Sequence, residues 1–358
     1  MSKSIEYYKA LDTLRAIAVF LVLLHHFLPD TKIGSLNFGF YGVDLFFKIS
    51  GFLITSILLN QKYSVKALSR SKFLSTFYIR RCLRIFPIYF LFLFFLFIVQ
   101  NSTKIKYWDH PQIIYYLTYT TNLLFFKSGF QNSLLNHLWS LGVEEQFYLL
   151  WPLVIVFVKK EHLVYYILMF IVVGFSTNIV GKLYNISNIR FLPFSNFHTL
   201  GIGVLLAYFI FTKNEQLEMF RKHINSITII SILLFSINYY VIQKQCDYNW
   251  IGTLLNELII VLFTFFLVYR FIIEFHGILG TIFNLKYFRF IGKISYGIYI
   301  YHKIIPAFLS SIFYKLGYKM DQGYIYFVIC VFVTILVSTL SWYCIESPIL
   351  QLKNRYDF

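Results

Sequence analysis

Arg15, His25 and His26 lie inside one apolar stretch, Leu11–Phe27. An ionisable group inside a membrane-length apolar run is costly, so its presence points to a task. A helix turns roughly 100° per residue, so eleven residues return it to within about 20° of the same face. Arg15 and His26 have that spacing. Their Cα atoms then stand roughly 16 Å apart along the axis, and His25 falls about 80° off the shared face. Geometry thus makes His26 the partner of Arg15. A neutral imidazole takes a proton from a hydroxyl or carries a transferred group. The competing reading is a helix-end histidine reaching for headgroups.

Four further groups carry chemistry. In F-Y-I-R-R-C-L-R-I-F-P, Arg81 and Arg84 are i, i+3 neighbours running into an apolar span. Paired guanidinium forks suit phosphate, against the plainer reading of anchoring to anionic lipid. Asp44 precedes Lys48 by four residues. Either the two neutralise each other as an i, i+4 pair, or Asp44 holds the second nitrogen of His26. In H-L-W-S-L-G-V-E-E-Q-F-Y-L-L-W-P, Glu144 and Glu145 enter an apolar helix, and Ser140, Glu144 and Tyr148 share a face. A buried glutamate needs a partner or a proton. Trp139 and Trp151 read as interface aromatics. Ser295, Tyr299 and His302 fall on one face at i, i+4, i+7, and Glu346 reads as a charge partner for a loop arginine.

The elements that position these groups follow from composition. The chain has 358 residues, 58% hydrophobic and only 13% charged, about half the charge of a soluble domain. Apolar runs of membrane length recur from end to end, so the expected fold is all-α and polytopic, one membrane domain over 1–358. Ten spans are expected, at about 11–28, 41–60, 85–100, 140–158, 162–180, 197–212, 225–243, 251–272, 293–314 and 323–345. With both termini cytoplasmic, about two thirds of the 32 lysines and arginines fall inside. That bias survives only if 113–126 does not cross, so it is expected as an outer-leaflet or re-entrant piece. The net charge of +16 belongs to span flanks, not to nucleic acid. Four scattered cysteines suggest neither disulfide nor metal. The first run lacks a cleavage site, so no signal peptide is expected.

Six segments in order resemble the membrane acyltransferase 3 family. They are L-D-T-L-R…H-H-F, G-V-D-L-F-F-K-I-S-G-F-L-I-T, F-Y-I-R-R-C-L-R-I-F-P, H-L-W-S-L-G-V-E-E-Q-F-Y-L-L-W-P, I-G-K-I-S-Y-G-I-Y-I-Y-H and I-E-S-P. The family's arginine–ten residues–histidine pattern falls on Arg15 and His26, and its Arg-x-x-Arg on Arg81 and Arg84. The resemblance implies a ten-span enzyme of the bacterial inner membrane. It would move an acyl group, most often acetyl, from cytoplasmic acetyl-CoA to a hydroxyl of a cell-surface glycan such as O-antigen or capsule. His26 would be the base or acyl carrier, with Asp44 or Glu144 orienting it. Arg81 and Arg84 would meet the donor phosphates, the donor's arm following the Arg15 face. The polar segment 101–139 would present the acceptor, a glycan or glycolipid. Membrane lipids are the other expected partner, and no metal is expected. Thr13, Lys48, Ser195 and His198 depart from the family pattern, and no hydrolase-like domain is expected after the last span.

Two other classes remain at this level. A transporter or flippase of a glycan or acyl precursor would also line a path with buried charge. A structural partner of a glycan synthase would leave His26, Glu144 and Arg81 without a role.

Overall fold

The computed structural model describes residues 8–28, 38–64, 69–102, 107–129, 134–244, 250–273, 275, 277–318 and 323–355. The helices are α1 Lys9–Phe27, α2 Phe38–Lys62, α3 Arg70–Ser102, α4 Ile113–Leu117, α5 Thr121–Ser128, α6 Leu138–Phe157, α7 Lys160–Leu183, α8 Phe197–Thr212, α9 Glu215–Lys222, α10 Ile224–Lys244, α11 Trp250–Ile273, α12 Gly277–Phe283, α13 Lys286–Lys293, α14 Ser295–Tyr301, α15 Ile304–Lys315, α16 Tyr324–Ser341 and α17 Ser347–Gln351. Among the described residues, 8 helices are long and apolar enough to cross a membrane, and two shorter apolar helices span Ile224–Tyr240 and Ile304–Lys315. The protein is an all-α, multi-pass membrane protein. In hydrocarbon a helix satisfies its own backbone, which is why apolar runs of this length fold this way.

The centre is α2, packed against α1 and α8. Glycines set how close they come. A Cβ on Gly51 would stand 2.2 Å from the Leu200 carbonyl oxygen, and one on Gly203 2.0 Å from that of Lys48. Small residues at a crossing let membrane helices approach to backbone contact. The same device seats α13 on α1, where a Cβ on Gly292 would meet the Asp12 carbonyl at 1.8 Å.

Three elements differ from the sequence expectation. First, α3 begins at Arg70 rather than near 85, so the basic stretch continues the apolar helix without a break. Secondly, the span expected at 293–314 is split after α14, with α15 starting at Ile304. Pro306 has no N–H to give the His302 carbonyl, which removes one rung of the helix there. Thirdly, a π turn, Trp342–Glu346, joins α16 to α17 and buries Glu346. The stretch expected as outer-leaflet or re-entrant forms short helices α4 and α5. It docks on the core through Tyr89 Oη, which donates to the Tyr116 carbonyl at 2.8 Å.

Candidate functional site

Two cavities of similar size lie along α1. The first, of about 450 Å³, is lined by Arg15, Arg80, Arg81, Arg84, Ser140, Glu144, Glu145, Tyr148 and Lys353, among others. The second, of about 470 Å³, is lined by His25, His26, Asp44, His137, His198 and Lys303, with several amides. Val43, Phe47 and Tyr299 line both. These three side chains are the partition between an arginine chamber and a histidine chamber.

The arginine chamber draws on distant parts of the chain. Arg15 comes from α1 and lies within electrostatic reach of Arg84, Asp12, Tyr148 and Glu144. Arg80, Arg81 and Arg84 come from the early turns of α3. The Arg81 guanidinium lies over the Tyr148 ring at 4.7 Å from its centroid, a contact that fixes its plane. Glu144 accepts from Ser50 Oγ at 2.7 Å, and Tyr148 Oη donates to the same Ser50 at 3.0 Å. Ser140, Glu144 and Tyr148 thus share one chamber, as their spacing implies. Glu346 interacts with Arg84 and Arg15, in keeping with its reading as a charge partner. Five cationic side chains face three carboxyls, those of Asp12, Glu144 and Glu145. The chamber is therefore built for an anion.

Lys353 is a lining residue that its place in the sequence does not single out. It follows α17, outside the membrane-spanning helices, and sits beside α3. Burial, reinforced by Arg84, Arg81 and Arg80, pushes its ammonium down to about 7. Nothing in its local sequence marks it, because its neighbours come from a helix more than two hundred residues earlier.

The histidine chamber is organised around a cluster of imidazoles in edge-on and tilted contact. The His26 ring lies 4.8 Å from that of His25 and 5.1 Å from that of His302, and His137 lies 4.8 Å from His302. His302 is fully buried. Its Nδ1 donates to the Tyr299 carbonyl at 2.7 Å, so its Nε2 carries the lone pair, and that atom has no partner among the described residues. His25 also reaches this chamber despite its angular offset on α1, because α2 approaches through Gly39. A Cβ there would strike the His25 ring at 2.6 Å.

The two carboxylates expected to orient His26 fall in different chambers, Asp44 beside His26 and Glu144 beside Arg15. Asp44 is buried and paired with Lys48, which is 1% exposed, and it accepts from Thr199 Oγ1 at 3.1 Å. The Lys48 departure has thus captured the acid. Glu144 belongs to the other chamber. The group facing His26 is His302, held by the break between α14 and α15. The spacing of Ser295, Tyr299 and His302 was the signal for it. Of the two tryptophans read as interface aromatics, Trp151 is buried with Nε1 donating to Thr55 at 2.9 Å, and Trp139 lines the histidine chamber.

A polytopic helical bundle that seats a cation-lined chamber beside an imidazole-lined one defines a membrane protein with a charged internal site. The chain belongs to the acyltransferase 3 family, whose profile, described as an acyltransferase domain, matches residues 8–343. It is 29% identical over 369 residues to a Staphylococcus aureus (strain COL) protein provisionally named an O-acetyltransferase, a match over 97% of this chain and 58% of that one. It is also 29% identical over 364 residues to the O-acetyltransferase OatA of Staphylococcus aureus (strain NCTC 8325 / PS 47), over 96% of this chain and 57% of that one. The chain thus spans less than two thirds of the length of these relatives. No solved structure matches it.

Proposed function

We propose that this protein is an O-acetyltransferase of the bacterial cytoplasmic membrane. It takes acetyl from cytoplasmic acetyl-CoA and passes it to a hydroxyl of a cell-surface glycan. The observation that carries this reading is the pair of chambers meeting at Val43, Phe47 and Tyr299. Coenzyme A is a phosphate-rich anion on a long, thin arm. Arg81, Arg84 and Lys353 suit its phosphates, and Arg15 lies further along α1 toward the partition. The acyl end would cross that partition to His26.

The balanced step is simple. His26 takes the proton of the acceptor hydroxyl, the oxygen attacks the thioester carbonyl, and the carbon–sulfur bond breaks. The proton then passes to the departing thiolate, leaving an O-acetyl ester and free coenzyme A. Carriage of the acetyl group on the imidazole is the two-step form of the same exchange. In either form His302 would assist His26, since the two rings stand 5.1 Å apart and the buried Nε2 lone pair of His302 is open to accept a proton. A basic chamber of this kind is less expected in a flippase, which has no thioester to hold.

The test is acetyl transfer from labelled acetyl-CoA in lipid-reconstituted protein and in cells, comparing wild type with His26→Ala. Label appears as a polysaccharide O-acetyl ester in the wild type alone. Label of equal amount in His26→Ala would remove the proposed role of the imidazole.

A further inference from the structure

The histidine chamber holds a second acid that the transfer step does not use. Glu257 sits in α11, an otherwise apolar membrane helix, and turns onto the same chamber as His26. Asn178 of α7 hydrogen-bonds its side chain, and Asn178 Nδ2 is itself anchored on the Ser195 carbonyl at 3.1 Å. The other carboxyl oxygen, Oε2, is buried with no hydrogen-bond partner among the described residues. Next to it, Asn256 lines the chamber with its Oδ1 taken by Asn238 Nδ2 at 2.9 Å, which fixes the amide plane.

On the reading above, we propose that Glu257 and Asn256, backed by Asn178, form the subsite that receives the hydroxyl groups of a neutral sugar acceptor. A buried carboxyl oxygen left open is costly unless a ligand supplies a donor. A hydroxyl-rich, uncharged molecule supplies several. Arg190 and Lys303 line this chamber together with Asp44 and Glu257, so it lacks the cation excess that suits the arginine chamber to the donor's anionic end. Tyr41 and Trp139 add aromatic walls suited to the C–H faces of a sugar ring. Tyr41 is held in place by Phe235, with ring centroids 5.1 Å apart. The cation-rich chamber thus suits the anionic donor and the charge-balanced one the neutral acceptor, with His26 on the acceptor side.

The test uses the full chain in its host cells and membranes. The surface polysaccharide of those cells is the acceptor, and coenzyme A binding by calorimetry is the check of folding. In Glu257→Gln, the O-acetyl content of the polysaccharide falls roughly tenfold at equal protein, while coenzyme A affinity is kept. Glu257→Asp recovers part of the transfer. Unchanged acetylation in Glu257→Gln overturns the subsite, and so does a loss of coenzyme A binding in parallel, which would mark a structural acid. Absence of transfer by the wild-type chain is a different result, since it overturns the parent reading before any variant is compared.

Discussion

The two chambers have nearly the same volume but opposite constructions. The arginine chamber is made from a sequence cluster, Arg80, Arg81 and Arg84 on one helix, joined by single residues such as Arg15 and Lys353. The histidine chamber is made from single residues on many helices, with His26, His137 and His302 meeting only in the folded bundle. Charge binding tolerates redundancy, because several cations share one polyanion. Proton transfer does not, because one atom must meet the reacting oxygen. Loss of a residue should therefore be graded in the first chamber and abrupt in the second.

The largest effect is expected at His26. Loss of a proton-transfer group slows reactions by about 10²–10⁴-fold. His26→Ala should lose transfer on that scale while coenzyme A binding, measured by calorimetry, stays within about twofold, since binding is assigned to the other chamber.

Asp44 comes next and separates two accounts of the same acid. Removing one partner of a buried ion pair costs about 3–5 kcal/mol. Asp44→Asn should therefore lower thermal stability in detergent sharply and take transfer down with it. Asp44→Asn combined with Lys48→Met should recover both. A double variant that is stable yet inactive would return Asp44 to the role of orienting His26.

A smaller, graded effect is expected in the arginine chamber. Charge-assisted hydrogen bonds contribute about 1.5–3 kcal/mol, so Arg81→Ala with Arg84→Ala should raise the donor KM by about tenfold or more. The turnover at saturating donor should change less. Equal donor dependence in variant and wild type would detach these arginines from the phosphates.

The smallest effect is one of pH. Lys353 is held down to about 7, so it is cationic below that pH and neutral above it. Donor affinity should weaken as pH rises from about 6 to about 8, by about two- to threefold for one partly exposed charge. Lys353→Met should show the weaker affinity at both ends and a flat profile between them. An unchanged profile would exclude Lys353 from donor binding.

Much of this architecture is legible in the sequence, for identifiable reasons. Long apolar runs leave helices as the only satisfied backbone, so the all-α fold can be read directly. Local pairs are equally readable. Asp44 and Lys48 are one turn apart and do pair. The face shared by Ser140, Glu144 and Tyr148 opens on one chamber. What escaped depends on contacts between distant elements. The early start of α3 carries no breaker to announce or forbid it. His302 gains its place from the gap that Pro306 imposes and from the approach of α1. Lys353 becomes part of a site only when the segment after α17 folds back on α3. Which acid serves His26 was ambiguous from spacing, because depth along a helix does not reveal which neighbour faces it.

The most direct test of the two-chamber account is a cryo-EM structure with S-ethyl-coenzyme A, a thioether that cannot be cleaved. The account predicts phosphate density at Arg81, Arg84 and Lys353, with the thioether sulfur at the partition of Val43, Phe47 and Tyr299, aimed at His26. Phosphates among the imidazoles, or a sulfur that points away from the partition, would contradict it.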